Sequence, residues 1–359
     1  MSQLAINGLA KSYGALKVFE GLNFEAGSGE IVVIFGGSGT GKTILLRLIA
    51  GVEEPTGGAI SINGHDVADI APEHRGIGMA FQNFALFPHM SAWENIATPL
   101  RAAGASESAV RAGVAKVAKL LKIDHVLGHA PRELSNGQKQ RTALARALAA
   151  EPKILLLDDP LRNVDAKLRF EMRLELPRLL RQTGATVLYV TQDYKEAMAL
   201  ADRIAVLGGG TFIQTAIPED IYLMPATLGV ARLFGDPAIN TMATRVDASG
   251  ASVSVIIAGI RIAIDPAYGQ YAGRAVTFGV RPDAVDITAT QGLAATVMAV
   301  TPLNERTVLL LQSGGGWEFL ASLPSSSTTI PEPGTKLHAS FAASGTHLFD
   351  GQTGERFHG

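Results

Sequence analysis

The 359-residue chain has no cysteine, no strongly basic segment and no long apolar run. The lack of cysteine excludes disulfides and thiolate metal sites, and it fits a reducing compartment. A net charge of −2 without blocks of lysine or arginine argues against binding that depends on neutralising nucleic-acid phosphates, so no nucleic-acid partner is expected. No stretch approaches the roughly eighteen apolar residues of a membrane span, and the first residues do not resemble a secretory signal. A role at a membrane would therefore depend on partner proteins.

The first part of the chain, up to residue 235, alternates short apolar runs with amphipathic helical patterns. The strand-like runs are Ile31–Phe35, Ile77–Ala80, Ile154–Leu157, Val187–Val190 and Ile204–Leu207. The helical patterns between them include Val110–Leu121, Lys139–Ala150 and Lys167–Leu180. This alternation predicts an α/β domain with a largely parallel sheet over residues 1–235.

From residue 236 to 359 the pattern changes to short alternating runs separated by clusters of Gly, Pro and Ser. The runs are Ser252–Ile257, Ile260–Ile264, Ala275–Val280, Ala295–Val300, Thr307–Leu311 and Leu337–Phe341. They predict a second domain that is all-β and of the small-barrel, OB-like type. Two segments, 240–290 and 291–355, are expected to form a duplicated unit.

A glycine-rich loop follows the run Ile31–Phe35 and opens the next helix. It matches the phosphate-binding pattern G-x-x-x-x-G-K-[ST], and its residues are Gly36, Gly37, Ser38, Gly39, Thr40, Gly41, Lys42 and Thr43. Glycines let backbone N–H groups point at phosphate oxygens, the lysine adds a positive charge, and the threonine hydroxyl suits Mg²⁺. A plain turn is the alternative, but spacing and flanking segments favour a site for ATP or another nucleoside triphosphate.

Two carboxylates come directly after the buried-strand pattern Ile154–Leu157. Asp158 is placed to hold Mg²⁺ or its water, and Asp159 stands where a general base would act. A solvated acidic turn is the alternative interpretation. The catalytic interpretation is favoured because a phosphate loop follows another strand of the same predicted sheet.

Two further polar segments accompany these motifs. Gln82 follows the run Ile77–Ala80, and Ser135 with Gln138 forms an S-x-x-Q pattern that opens a helix. That pattern predicts a capping box, and a helix N-terminus beside a glycine is also an anion site. The helix N-terminus can be capped by its own side chains at one stage of a catalytic cycle and bind an anion at another.

Together these motifs resemble the ATP-binding subunit of an ABC importer of the maltose or sugar/polyol subgroup. The matching positions for this chain's own ATP are Tyr13, which would stack on adenine, and residues 36–43, which would bind the phosphates. Those for Mg²⁺ are Thr43, Gln82 and Asp158. The ATP of the partner subunit would be contacted by Ser135, Asn136, Gly137 and Gln138, and the D-loop positions are Arg162 and Asp165. Phe234–Asn240 and Gly279–Asp283 resemble that subgroup's C-terminal regulatory domain. The resemblance implies a head-to-tail ATPase dimer, two permeases, a periplasmic or extracellular solute-binding protein, and a peripheral location on the cytoplasmic face of the membrane.

Four positions depart from the family pattern. Asp159 replaces a glutamate, Gln192 a histidine, Asn136 a glycine and Arg162 a serine. Asp159 is one methylene short, and Gln192 cannot take a positive charge as an imidazole can. Asn136 is expected to be the milder change because asparagine tolerates positive φ, and Arg162 either pairs with a carboxylate or faces solvent.

These departures predict a slow ATP site at this chain's own phosphate loop. They also predict a second, different ATPase subunit, because a homodimer would carry every departure twice. Residues 157–177 resemble glycerol-importer subunits that work as such pairs, so the expected cargo is a sugar or polyol, with glycerol as the candidate that this segment favours. The alternatives are a non-hydrolysing regulatory subunit, a homodimeric ATPase for another small solute, and a soluble ABC protein acting on ribosomes or DNA.

The segment Phe84–Trp93 has two interpretations. Its apolar and aromatic side chains could simply pack in the core. In the resembled family, the region after the glutamine at position 82 receives the permeases, so Phe84, Phe87, His89 and Met90 could instead line that groove.

Overall fold

The computed structural model describes residues 2–249, 252–288, 290–327 and 329–358. The chain forms two compact units, Met1–Pro218 and Glu219–Gly359. The units divide earlier than the expected domain boundary at residue 235, which stays a prediction. No helix among the described residues is long and apolar enough to cross a membrane.

The first unit contains two sheets and six helices among its described residues. Its strands are β1 Ser2–Tyr13, β2 Leu16–Gly27, β3 Ile31–Phe35, β4 Gly57–Ile62, β5 His65–Asp66, β6 Ile77–Ala80, β7 Ile154–Asp158, β8 Thr186–Thr191, β9 Arg203–Gly208 and β10 Thr211–Ala216. Its helices are α1 Lys42–Ala50, α2 Ala92–Ala102, α3 Glu107–Leu120, α4 Asn136–Leu148, α5 Ala166–Thr183 and α6 Tyr194–Leu200. The predicted α/β domain is confirmed.

The larger sheet has the order β10-β9-β3-β8-β7-β6, and its β9-β3-β8-β7-β6 part is parallel. Every residue of β3, β7 and β8 is buried. This burial explains their continuous apolar sequences, because helices cover both faces of a parallel sheet. The smaller sheet, β2-β1-β4-β5, is antiparallel, and its register was not predicted from the sequence.

The second unit is mostly β, as the sequence predicted. Its elements are α7 Pro218–Leu223, which starts at the unit boundary, α8 Leu228–Leu233, and the strands β11 Asn240–Ser249, β12 Ser252–Ile257, β13 Ile260–Ala263, β14 Ala275–Val280, β15 Val285–Asp286, β16 Leu293–Pro302, β17 Arg306–Ser313, β18 Glu318–Pro324, β19 Lys336–Phe341 and β20 Thr346–Asp350. They form two five-stranded sheets, β13-β12-β11-β14-β20 and β15-β19-β16-β17-β18.

The two β sheets repeat one strand order, as the expected duplication of 240–290 and 291–355 predicts: β13-β12-β11-β14 of one sheet corresponds to β18-β17-β16-β19 of the other. The late strand β20 pairs with β14, and the early strand β15 pairs with β19. Each sheet therefore takes a strand from the other half of the sequence. The strand order therefore bears out the duplicated unit, with the last strand of each segment exchanged between the two sheets.

One buried arginine ties the short helices to the barrel. Arg281 is 1% exposed, and its guanidinium donates to the carbonyls of Tyr222 (2.9 Å), Ala231 (2.8 Å) and Phe234. It also lies over the Tyr222 ring, 4.2 Å from the centroid. These contacts satisfy carbonyls at the ends of α7 and α8, which explains why both helices belong to the second unit.

Replacing this arginine should destabilise the second unit. In Arg281→Met, two buried carbonyls and one half-buried carbonyl lose their donor, so the free energy of unfolding should fall by about 3 kcal/mol. Urea unfolding followed by Trp317 fluorescence in a Trp93→Phe background measures the change. The control Arg245→Met, at an exposed arginine of β11, should change it by less than about 0.5 kcal/mol. Equal effects of the two substitutions would contradict the structural role of Arg281.

Candidate nucleotide-binding site

The phosphate loop connects the buried strand β3 to α1. Gly41 caps α1 with φ 95°, in the left-handed region, and Gly39 has φ 77°. A Cβ at Gly41 would lie 2.8 Å from the Phe19 ring and 2.9 Å from Val18. The loop can therefore reach the helix only with glycine at position 41.

Lys42 folds back over this loop. Its side chain is buried, and Nζ donates to the carbonyls of Gly36 at 2.8 Å and Gly37 at 2.6 Å. Burial lowers the pKa of Lys42, and the carboxylates of Asp159 and Asp158 oppose that shift. A cation is thus held at the centre of the loop, where an anionic ligand would neutralise it.

Asp158 and Thr43 meet at the end of β7. The Thr43 hydroxyl donates to Oδ1 of Asp158 at 3.0 Å. Burial raises the pKa of Asp158, and the bond from Thr43 lowers it. A carboxylate and a hydroxyl oxygen this close are a hard-oxygen donor pair that fits Mg²⁺.

Asp159 follows in a left-handed conformation with φ 44°. Its N–H donates to the carbonyl of Val190 at 2.9 Å, and its carboxylate lies 3.6 Å from the guanidinium of Arg162. Burial raises the pKa of Asp159, whereas the charge of Arg162 lowers it. Of the two alternatives for Arg162, pairing with a carboxylate is the one observed.

The D-loop after Asp159 is held by helix α5. Asp165 caps this helix by accepting from the N–H of Leu168 at 3.0 Å. Arg169 donates to the carbonyls of Leu161 (3.2 Å), Arg162 (3.2 Å) and Val164 (3.0 Å). Arg169 was missed in the sequence, because an arginine in the first turns of a helix is usually solvated.

Gln192 lies exposed, directly after β8. A buried network holds the backbone on both sides of it. Tyr189 and Thr191 hydroxyls donate to the carboxylate of Glu196 at 2.8 and 2.9 Å, and the N–H of Asp193 donates to Thr191 at 3.0 Å. Burial raises the pKa of Glu196. Glu196 was missed in the sequence, where it looked like an ordinary helical glutamate.

Gln82 lies half-buried in the turn after β6. The Asn163 side chain donates to its carbonyl at 2.9 Å, which links this turn to the D-loop. Arg146 of α4 donates to the carbonyls of Phe84 (3.1 Å) and Ala85 (2.7 Å), two residues in the left-handed region. The segment is therefore tied to two other elements of the unit.

The rest of the segment Phe84–Trp93 folds over a buried asparagine. Asn95 is 0% exposed, accepts from the N–H of Phe87 at 2.8 Å and donates to the carbonyls of Phe87, Met90 and Ser91. Phe87 is 43% exposed and His89 is exposed, whereas Phe84 and Met90 are half-buried. The segment is consequently neither plain core nor a fully open groove.

The predicted capping box opens α4. The N–H of Ser135 donates to Oε1 of Gln138 at 2.9 Å, and the N–H of Gln138 donates to Oγ of Ser135 at 3.3 Å. Asn136 is exposed at the first helical position, so positive φ plays no part there and the expected reason for its mildness was wrong. Gly137 is buried, and a Cβ there would lie 2.1 Å from Leu168.

Tyr13 lies at the end of β1 and is 45% exposed. Its hydroxyl is hydrogen-bonded to Glu53, and Nζ of Lys11 lies 4.8 Å from its ring centroid. Together the two contacts hold an aromatic face at the surface of the smaller sheet. Within residues 2–249, no described hydrogen bond or ion pair joins Tyr13 or the first turn of α4 to the phosphate loop.

The glycine requirement of the loop can be tested by a matched pair. Gly41→Ala should lower the free energy of unfolding by about 2 to 4 kcal/mol, because it adds left-handed strain and a clash with Phe19. Gly37→Ala meets only Thr40 at 4.0 Å and should cost less than about 0.5 kcal/mol. Urea unfolding followed by Trp93 fluorescence in a Trp317→Phe background measures both. Equal stabilities would refute the loop geometry.

Family comparisons match both parts of the chain. The family described as ABC transporter matches residues 19–162, the MalK OB fold domain matches 235–285, and the TOBE domain matches 278–349. The OB-like C-terminal region predicted from the sequence is thereby confirmed.

Full-length relatives and a solved structure are also similar. The sn-glycerol-3-phosphate import ATP-binding protein UgpC of Escherichia coli K12 is 40% identical over 357 residues, covering 99% of this chain and 100% of the relative. The protein of the same name from Shigella boydii is 39% identical over 357 residues, with the same coverage. A dimeric ATP-binding cassette in a post-hydrolysis state, bound to ADP and Pi, is 30% identical with a TM-score of 0.55, covering 60% of this chain and 98% of that one.

Proteins of this family couple ATP hydrolysis to transport and generally use ATP with Mg²⁺. The phosphate loop, the Thr43–Asp158 pair and the OB-like second unit all agree with the matched families. The chain belongs to the ABC transporter family, as an ATP-binding subunit of the sugar and polyol importers.

Proposed function

We propose that this chain binds and hydrolyses ATP to energise an importer for a polyol or a polyol phosphate. Glycerol, the candidate cargo that the sequence favours, and sn-glycerol-3-phosphate, the cargo in the relatives' names, are the leading candidates. The chain would act with two permeases and a solute-binding protein, as a peripheral subunit on the cytoplasmic face of the membrane.

The observation that carries this proposal is the contact between Thr43 and Asp158 beside the buried amine of Lys42. Lys42 would exchange its two loop carbonyls for phosphate oxygens, while the loop N–H groups and the start of α1 bind the same anion. Thr43 and Asp158, with Gln82, would hold Mg²⁺, which neutralises phosphate charge when it is bound. The exposed ring of Tyr13 would stack on adenine.

Hydrolysis at this site should be slow for a geometric reason. Asp159 would have to orient the attacking water and Gln192 the γ-phosphate. The shorter aspartate withdraws its carboxylate from the water, and a misplacement of about an ångström can cost on the order of 100-fold in rate. Gln192 offers an uncharged amide from an exposed position after β8.

A slow site of this kind favours pairing with a second, different ATPase subunit. In a head-to-tail pair, the turn Ser135–Gln138, in which Ser135 and Asn136 are exposed, would contact the ATP held by the partner. That opposite site would use the partner's own catalytic residues. Arg162 and Asp165, near the start of α5, would lie at the interface between the two subunits.

The exposed side chains of Phe87 and His89 are proposed to meet the permeases. Asn95 bonds the backbone of Phe87, and Arg146 bonds the carbonyl of Ala85 two residues earlier in the same segment. Arg146 lies on the helix that Ser135 caps. Movement of that helix would therefore reach this surface through hydrogen bonds.

A non-hydrolysing regulatory subunit of the same transporter is the second candidate. The ion pair between Asp159 and Arg162 favours it, because a paired carboxylate is less available to a water. In that case ATP would be bound and retained without phosphate release, even beside an active partner.

Back-substitution at both positions separates these candidates. The variant Asp159→Glu with Gln192→His should release phosphate at least about 100-fold faster than wild type, with little change in ATP affinity. Steady-state phosphate release and mant-ATP binding by the purified chain measure the two quantities. Asp69→Glu with Gln182→His, at exposed positions, is the matched control and should match wild type. Wild-type turnover of a few per second would refute the slow site.

The pairing proposal can be checked in a reconstituted transporter. This chain alone, with the permeases and the solute-binding protein, should give no substrate-stimulated ATP turnover. Addition of the second ATPase subunit should restore it, and the two ATPases should co-purify in equal amounts. Full stimulated turnover with this chain alone would rule out an obligatory pair.

A further inference from the structure

The turn after β7 brings an arginine against the carboxylate at the general-base position. The N–H of Arg162 donates to the carbonyl of Asp159 at 3.2 Å and closes the turn. Across that turn, Nη1 of Arg162 lies 3.6 Å from Oδ2 of Asp159. The two side chains are three residues apart on one closed turn, so the backbone itself sets their approach.

The turn is anchored by a buried side chain and by an arginine of the next helix. Leu161 is 0% exposed, and Arg169 donates to the carbonyls of Leu161, Arg162 and Val164. Exposed ion pairs usually contribute little, because two long side chains must be ordered. Here one partner is a short aspartate whose side chain is only 12% exposed, so the cost falls mainly on the arginine.

The other cations near Asp159 are engaged elsewhere. Lys42 donates to the loop carbonyls of Gly36 and Gly37, and Arg169 donates to the carbonyls of the turn. Among the described residues, Arg162 forms the ion pair with Asp159, and its side chain is 52% exposed whereas that of Asp159 is 12% exposed. The arginine therefore lies on the open side of a mostly buried carboxylate.

We propose that Arg162 is a positioning residue that holds the Asp159 carboxylate in this ion pair and restrains hydrolysis at the chain's own ATP site. The inference rests on the proposed ATPase function and names a second cause of the slow site. A carboxylate engaged by a guanidinium is turned toward it and is a weaker acceptor for the hydrogen of an attacking water. The shorter side chain of Asp159 and its ion pair with Arg162 would both slow hydrolysis.

The test compares Arg162→Ser, Arg162→Lys and a control under single-turnover conditions, with the chain in excess over ATP. Arg162→Ser should hydrolyse ATP about fivefold faster than wild type, the factor expected for loss of a partly exposed pair. Arg162→Lys keeps the charge and should stay within about twofold of wild type. Arg178→Ser, an exposed arginine on α5, should not change the rate.

Ionic strength supplies a readout that a merely structural role would not move. Salt screens partly exposed charges, so the wild-type rate should rise between low and high salt while that of Arg162→Ser stays flat. An Arg162→Ser rate equal to or below wild type, with mant-ATP binding intact, would overturn this inference alone. Failure of the wild-type chain to bind mant-ATP would overturn the proposed function and this inference with it.

Discussion

The hydrogen-bonded register of three buried parallel strands is the constraint on which the site depends. Phe35 of β3 pairs with Thr191 of β8, and Val190 of β8 pairs with Asp158 of β7. The carboxyl ends of the three strands therefore coincide to within one residue. A shift of this register would separate the phosphate loop, the two carboxylates and Gln192, whatever their sequences.

Polar side chains then fix the loops that leave this edge. Glu196 holds the backbone around Gln192, Arg169 holds the D-loop, and Asn95 with Arg146 holds the segment after Gln82. Each is buried or half-buried, and each bonds mainly to backbone or hydroxyl groups. The loops can thus present exposed functional groups without apolar cores of their own, because buried hydrogen bonds fix their conformation.

The departures from the family pattern acquire different weights in this setting. Asn136 begins a helix with ordinary geometry, so its effect is limited to the side chain it offers at the helix end. Arg162, by contrast, reaches a carboxylate of the site itself. Position along the chain did not separate these two substitutions, whereas their surroundings do.

By itself the sequence determined the two-part α/β and β organisation, the phosphate loop and the pair Asp158–Asp159. These signals are local: an apolar run, a glycine spacing or a capping box depends on residues adjacent in the chain. Only the tertiary structure decided the exchange of β15 and β20 between sheets, the partner of Arg162 and the roles of Glu196, Arg169 and Asn95. Each of these depends on burial or on contacts between residues that folding brings together. Residue type and local spacing alone do not indicate such a partner.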